Sequence, residues 1–133
     1  MKKRGILNAD LSRIIASMGH TDKLVICDSG LPIPKNSEVI DLALTANIPR
    51  FLDTLKIILE ELNIEGAVIA KEMCDGKNGL FDNTSKMLNG AKLKKVPHEK
   101  FKELTRDKGN ITFVRTGETT PYANIILISG VTF

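Results

Sequence analysis

His20 and Asp28 are the residues of this 133-residue chain whose type and placement first suggest acid–base chemistry. His20 follows Gly19, where a helical pattern stops. Asp28 follows Lys23-Leu24-Val25-Ile26-Cys27, a continuous apolar run that reads as a strand buried on both faces. Three further polar candidates are His98, in the first turn after Pro97, and Tyr122 and Asn124, in a loop that leads into the last strand. As a residue type, histidine titrates at about 6.5 and can move a proton in either direction. A tyrosine offers an apolar ring face with a hydroxyl at its tip, and an asparagine amide both donates and accepts. Each residue alone also has an ordinary reading, as a turn former, a surface histidine, a loop aromatic or a strand-start cap. By residue type the set suits an acid–base or polyol-binding site.

Other chemistries lack their patterns. There is no Gly-x-Gly-x-x-Gly, no Walker-type phosphate loop and no Gly-x-Ser-x-Gly elbow. Ser29 has no histidine at a telling spacing. Cys27, Cys74, His20 and His98 lack the C-x-x-C or H-x-x-x-H spacing of a zinc site, so no metal and no cofactor is expected.

Composition agrees with one folded domain, residues 1–133. The chain is 42% hydrophobic and 26% charged, close to average globular usage. A net charge of +3, from 19 basic and 16 acidic residues, is too small to argue for nucleic acid. Lys92-Leu93-Lys94-Lys95 and Lys100-Phe101-Lys102 read as a solvated face. No apolar run approaches the ~20 residues of a membrane span, and the basic start leads into an amphipathic helix pattern rather than a secretory segment. A cytoplasmic protein is expected, with Cys27 and Cys74 reduced and acting as small hydrophobes.

The elements that must position the candidates alternate along the chain. Asn8 and Asp10 are N-cap types ahead of Leu11, Ile14, Ile15 and Met18, with Gly19 as the expected left-handed stop. After the strand 23–27 come a strand over 39–44 and a helix from Pro49 carrying Phe51, Leu52, Leu55, Ile58, Leu59 and Leu62. Then follow a strand over 66–70, a turn-rich loop at 75–79, a short helix over 81–89 and an edge strand over 92–96. A helix from Pro97, a strand over 111–115 and a long strand from Asn124 close the pattern. This order predicts an α/β fold, a mostly parallel sheet of about six strands with helices on both faces. In such sheets ligand sites gather beyond the carboxyl ends of the strands, where Asp28 falls. The apolar ending Val131-Thr132-Phe133 reads as a docked tail, with a neighbouring subunit as one possible surface.

The chain resembles the D-ribose pyranase family from end to end. The resemblance is carried by Lys3-Arg4-Gly5-Ile6-Leu7-Asn8, Gly19-His20-Thr21-Asp22 and Asp28-Ser29-Gly30-Leu31-Pro32-Ile33-Pro34. It continues in Arg115-Thr116-Gly117-Glu118, Pro121-Tyr122-Ala123-Asn124 and the closing Gly130-Val131-Thr132-Phe133. It implies interconversion of the β-pyranose and β-furanose forms of D-ribose, downstream of ribose uptake and without a cofactor. The family's proton donor matches His20, and its substrate-binding residues match Asp28, His98, Tyr122, Ala123 and Asn124. Asp28 could either hold the imidazole in one tautomer or accept from sugar hydroxyls. The related fucose mutarotases share the histidine and aspartate, while His98 and the uninterrupted Pro121-Tyr122-Ala123-Asn124 favour the ribose branch. The loop from Met73 to Phe81 matches no signature. The resemblance also implies a homo-oligomer, a decamer of two pentameric rings with sites between subunits. A sugar-binding or regulatory module of a ribose uptake system would use the same polyol-reading residues.

Overall fold

In the computed structural model, which describes residues 1–133, the elements run α1 (Ala9–Ser17), β1 (Lys23–Cys27), β2 (Glu38–Asp41), α2 (Phe51–Leu59), β3 (Ile64–Ala70) and α3 (Lys71–Asp75). They continue with α4 (Leu80–Met87), β4 (Lys92–Val96), α5 (His98–Leu104), β5 (Ile111–Arg115) and β6 (Ile125–Ser129). All six strands form one sheet in the order β2-β5-β1-β6-β3-β4. β1 pairs in parallel with β5, β2 with β5 and β3 with β4, while β6 runs antiparallel to both β1 and β3. Five strands therefore point one way and β6 is inserted against them. The carboxyl ends of the five and the entry to β6 all lie at the same end of the sheet.

Strand alternation divides the interior. Leu24 and Ile26 of β1, Ala67 and Ile69 of β3, and Ile125 and Leu127 of β6 pack with Leu11, Ile14, Phe51, Leu55, Ile58 and Met73 in the larger core. Val25, Cys27, Val68, Phe113 and Ile126 face the other way, onto Phe101 of α5 and Leu31. Helices thus cover both faces unequally, four on one and α5 on the other. Burial, and then the neighbouring Asp28 charge, pushes the Cys27 thiol up to about 12, so it is the inert small hydrophobe its setting suggests. β4 is an edge strand, and its exposed lysines discourage edge-to-edge pairing.

Several boundaries differ from the sequence expectation. Asn8 does cap α1, its Oδ1 accepting from the Leu11 N–H at 2.9 Å. The helix ends through Met18 in an extended conformation, however, and Gly19 is not left-handed; the positive φ falls on Thr21, at 70°. A side chain explains the shift, because Asp22 Oδ2 accepts the Gly19 N–H at 2.8 Å and so closes the turn itself. The N-cap of α2 is Arg50, with Pro49 just outside the helix. A short helix, α3, occupies 71–75 directly after β3, where no helix was expected. β6 ends at Ser129, and within the chain Val131 and Phe133 are exposed rather than docked. No helix is long and apolar enough to cross a membrane.

Candidate active site

Because β1, β4 and β5 share a direction, the loops that follow them meet at one end of the sheet. β1 delivers Asp28, β4 delivers His98 and β5 delivers the 116–121 loop. The reversed β6 begins there, so its lead-in brings Tyr122 to the same place. Together Asp28, His98, Glu118, Thr120 and Tyr122 line an open cleft of about 400 Å³, a size suited to a small ligand.

Asp28 is held from two sides. Its backbone N–H donates to Asn124 Oδ1 at 2.8 Å, and Asn124 Nδ2 donates back to Asp28 Oδ2 at 3.0 Å. The Gly30 N–H donates to the other carboxylate oxygen at 2.9 Å. The amide orientation of Asn124 is forced, since a backbone N–H can only donate. Asn124 is fully buried. Its amide therefore aims the Asp28 carboxylate. Ala123 is also fully buried, with its side chain in the larger core.

Tyr122 adopts φ 64°, a left-handed conformation uncommon for an aromatic residue. Its ring stands edge-on to His98, with centroids 5.0 Å apart and planes at 79°. The His98 N–H, the start of α5, donates to Glu72 Oε2 at 2.7 Å. Thus α3, unforeseen from the sequence, supplies the carboxylate that anchors the helix presenting His98. Nδ1 of His98 is buried without a hydrogen-bond partner.

His20 stands elsewhere. It precedes β1, whereas Asp28 follows it, and at about 3.3 Å per residue the five-residue strand alone separates them by roughly 15 Å. His20 borders a different cleft, with Ile15, Met18, Ser129 and Phe133. Within one chain Asp28 therefore does not reach the His20 imidazole. The imidazole instead meets Glu65, with His20 Nε2 2.8 Å from Glu65 Oε2.

The residues that lace the cleft had appeared in the sequence only as a signature without a role. Thr116 binds the Cys27 carbonyl through both its N–H, at 3.0 Å, and its hydroxyl, at 2.7 Å. Arg115 Nε donates to the Ser29 carbonyl, and its Nη1 pairs with both Asp41 oxygens at 3.1–3.2 Å. Gly117 is packed against backbone: a Cβ there would meet Thr45 O, and Ile48 O at 2.6 Å. Glu118 is buried. Its carboxylate accepts from the Phe51 N–H at 3.0 Å and the Thr120 hydroxyl at 2.7 Å. Burial works against its charge, but these donors outweigh it and hold its carboxyl below the usual range. Glu118 thus ties the start of α2 to the cleft loop. An Arg-Thr-Gly-Glu run after a predicted strand was the available signal; its partners lie too far away in sequence to be read from spacing.

Comparison with known proteins agrees with this architecture. The RbsD / FucU transport protein family matches residues 1–132. The chain is 54% identical to the D-ribose pyranase of Coprothermobacter proteolyticus and 51% identical to that of Laribacter hongkongensis, each over the full length of both chains. The structure of Bacillus subtilis RbsD complexed with D-ribose superposes with a TM-score of 0.93 at 42% identity, covering all of both chains. The fucose mutarotase of Streptococcus pneumoniae, in complex with L-fucose, shares the fold at a TM-score of 0.78 and 24% identity, over 96% of this chain and 95% of that one. A match this long, over the same six strands and the loops that build the cleft, means that the chain belongs to the RbsD / FucU transport protein family.

Proposed function

We propose that the protein is a D-ribose pyranase, interconverting the β-pyranose and β-furanose forms of D-ribose by acid–base ring opening and closing. The observation that carries this reading is the unbroken match to ribose pyranases through every segment that builds the cleft. Opening the pyranose places a proton on the ring oxygen and removes one from the anomeric hydroxyl. Reclosing through the neighbouring hydroxyl reverses both transfers, so no net proton, electron or group is exchanged. His20 is the proton donor. Asp28 and His98 hydrogen-bond sugar hydroxyls, Tyr122 covers the sugar's C–H face, and Asn124 with Ala123 supports them from behind. Sugar rings open unaided in water, so the roughly 10²–10⁴-fold that a positioned acid–base group supplies is an adequate contribution.

Since His20 and Asp28 sit at opposite ends of β1, a working site draws His20 from a neighbouring copy. That requires a homo-oligomer, which we take to be the decamer of two pentameric rings that the resemblance implies. Contacts between unlike ends of successive copies close into a ring when the rotation permits. The exposed Val131 and Phe133, beside His20, offer apolar surface for such a contact. We place this activity in the cytoplasm, downstream of ribose uptake.

Saturation-transfer NMR between the pyranose and furanose anomeric resonances of ribose tests the reading. Faster exchange with the protein present is expected. Sugar binding without faster exchange would identify a binding or regulatory module, and acceleration confined to fucose would identify a mutarotase of the other branch. A monomeric mass by light scattering at micromolar concentration would refute the shared site.

A further inference from the structure

We propose that Glu65 is the positioning residue of the His20 imidazole: it accepts the Nε2–H hydrogen bond and so leaves Nδ1 as the atom that exchanges protons with the sugar. The inference rests on the reading of His20 as the acid–base group. Its basis is the 2.8 Å contact between His20 Nε2 and Glu65 Oε2. A carboxylate can only accept, so the nitrogen it meets is the protonated one and Nδ1 keeps the lone pair. During ring opening Nδ1 takes the anomeric hydroxyl proton, and as Nδ1–H it returns a proton to the ring oxygen. The Nε2–H stays with Glu65 throughout, and the cycle closes with no net change in either group.

The backbone around the pair is arranged to bring these side chains together. β3 and β6 pair Ile64 with Ser129 and then Gly66 with Ile128, so Glu65 is an extra residue in the β3 side of the ladder. A bulge of this kind re-aims a side chain and is frequent beside active sites. Across β6, the Thr21 N–H donates to the Ser129 carbonyl and the Ser129 N–H to the Asp22 carbonyl, both at 2.9 Å. The Gly130 N–H donates to the Asn63 carbonyl at 3.0 Å. The end of β6 thus ties the His20 segment on one side to the Glu65 segment on the other. Gly130 permits the approach, because a Cβ there would stand 3.1 Å from Glu65 N and 3.2 Å from Glu65 Cβ. Thr21, next to His20, holds φ 70°, a strained conformation for a β-branched residue. Strain and a bulge flanking the same contact indicate geometry maintained for a purpose other than stability.

Stability is indeed a poor explanation of the pair. The two side chains are 53% and 45% exposed in the single chain, and exposed ion pairs contribute little to folding. Covered by the sugar and a neighbouring copy, the same contact would orient the ring in a site that excludes water. Removing Glu65 therefore probes chemistry while leaving the fold in place.

The experiment measures ribose exchange for the wild type, Glu65→Leu, Glu65→Gln and His20→Ala, with long-range ¹H–¹⁵N correlation spectra of the His20 ring. For Glu65→Leu we expect kcat to fall by about 10- to 100-fold, less than the roughly 10²–10⁴-fold of a full acid–base group, with the ribose KM nearly unchanged. Glu65→Gln, which retains an acceptor oxygen, should recover most of the rate. The wild-type spectrum should show one neutral tautomer, protonated at Nε2, and Glu65→Leu a mixture. A wild-type kcat in Glu65→Leu, or a wild-type ring protonated at Nδ1, would overturn the assignment of Glu65. If His20→Ala itself exchanges ribose at the wild-type rate, the reading of His20 falls and Glu65 falls with it; if only His20→Ala is slow, the failure belongs to Glu65 alone.

Discussion

Asp28 and Asn124, 96 residues apart, hold each other by two opposed hydrogen bonds, backbone N–H to amide oxygen at 2.8 Å and amide nitrogen to carboxylate at 3.0 Å. The pair spans the end of β1 and the beginning of β6, and it fixes which way the Asp28 carboxylate faces. The cleft's acceptor is therefore set by a residue behind it.

Asn124→Leu should weaken ribose binding more than it slows exchange at saturation. The substitution keeps the side chain's approximate size but removes both bonds, leaving the half-buried Asp28 N–H without its partner at a cost of up to about 1–3 kcal/mol. Denaturant unfolding should register a loss of that order, and the exchange assay a raised ribose KM. A wild-type KM would show that Asn124 does not aim Asp28.

His20→Ala and Asp28→Ala should each abolish accelerated exchange, yet restore part of it when unfolded together and refolded as a mixture. If each site takes His20 from one copy and Asp28 from another, random mixing leaves about a quarter of the sites with both native residues. A site built within one chain would recover nothing. The recovered fraction reads the question directly, without knowledge of the subunit number.

Glu118 should make stability fall at acid pH. Its carboxyl lies below its ordinary value of 4.5 in the folded protein, the donors from Phe51 and Thr120 outweighing the opposing effect of burial. A depressed folded value means that the unfolded chain binds the proton more readily. The stabilisation is thus complete above about 4.5 and is lost as pH falls through the lower, folded value. Denaturant midpoints followed from pH 7 to 3 should decline in this window, and Glu118→Gln should flatten the decline. At pH 7 that variant should already be less stable by about 1.5–3 kcal/mol, the contribution of a hydrogen bond to a charged group.

Local pattern carried much of the fold. The apolar run 23–27, the helical stripe from Phe51 and the lysine-bearing edge strand each appear where periodicity placed them, because burial on one face or two writes itself into consecutive residues. Three features were not legible. The left-handed turn moved from Gly19 to Thr21 because the Asp22 side chain closes the loop. The reversal of β6 left no local trace, since a strand buried in the sheet interior looks alike in either direction. The short α3 had neither the length nor the stripe to announce itself, although its Glu72 anchors His98.

By itself, then, the sequence determined the alternation of elements, the two-faced core and the identity of the polar residues beyond the strands, all of which depend on neighbours a few positions apart. Tertiary structure decided their grouping. Because five strands run together and β6 runs against them, Asp28, His98, Tyr122 and Asn124 converge at one end of the sheet while His20 lies at the other beside Glu65. Strand direction is a property of pairing between distant segments, and no spacing along the chain encodes it.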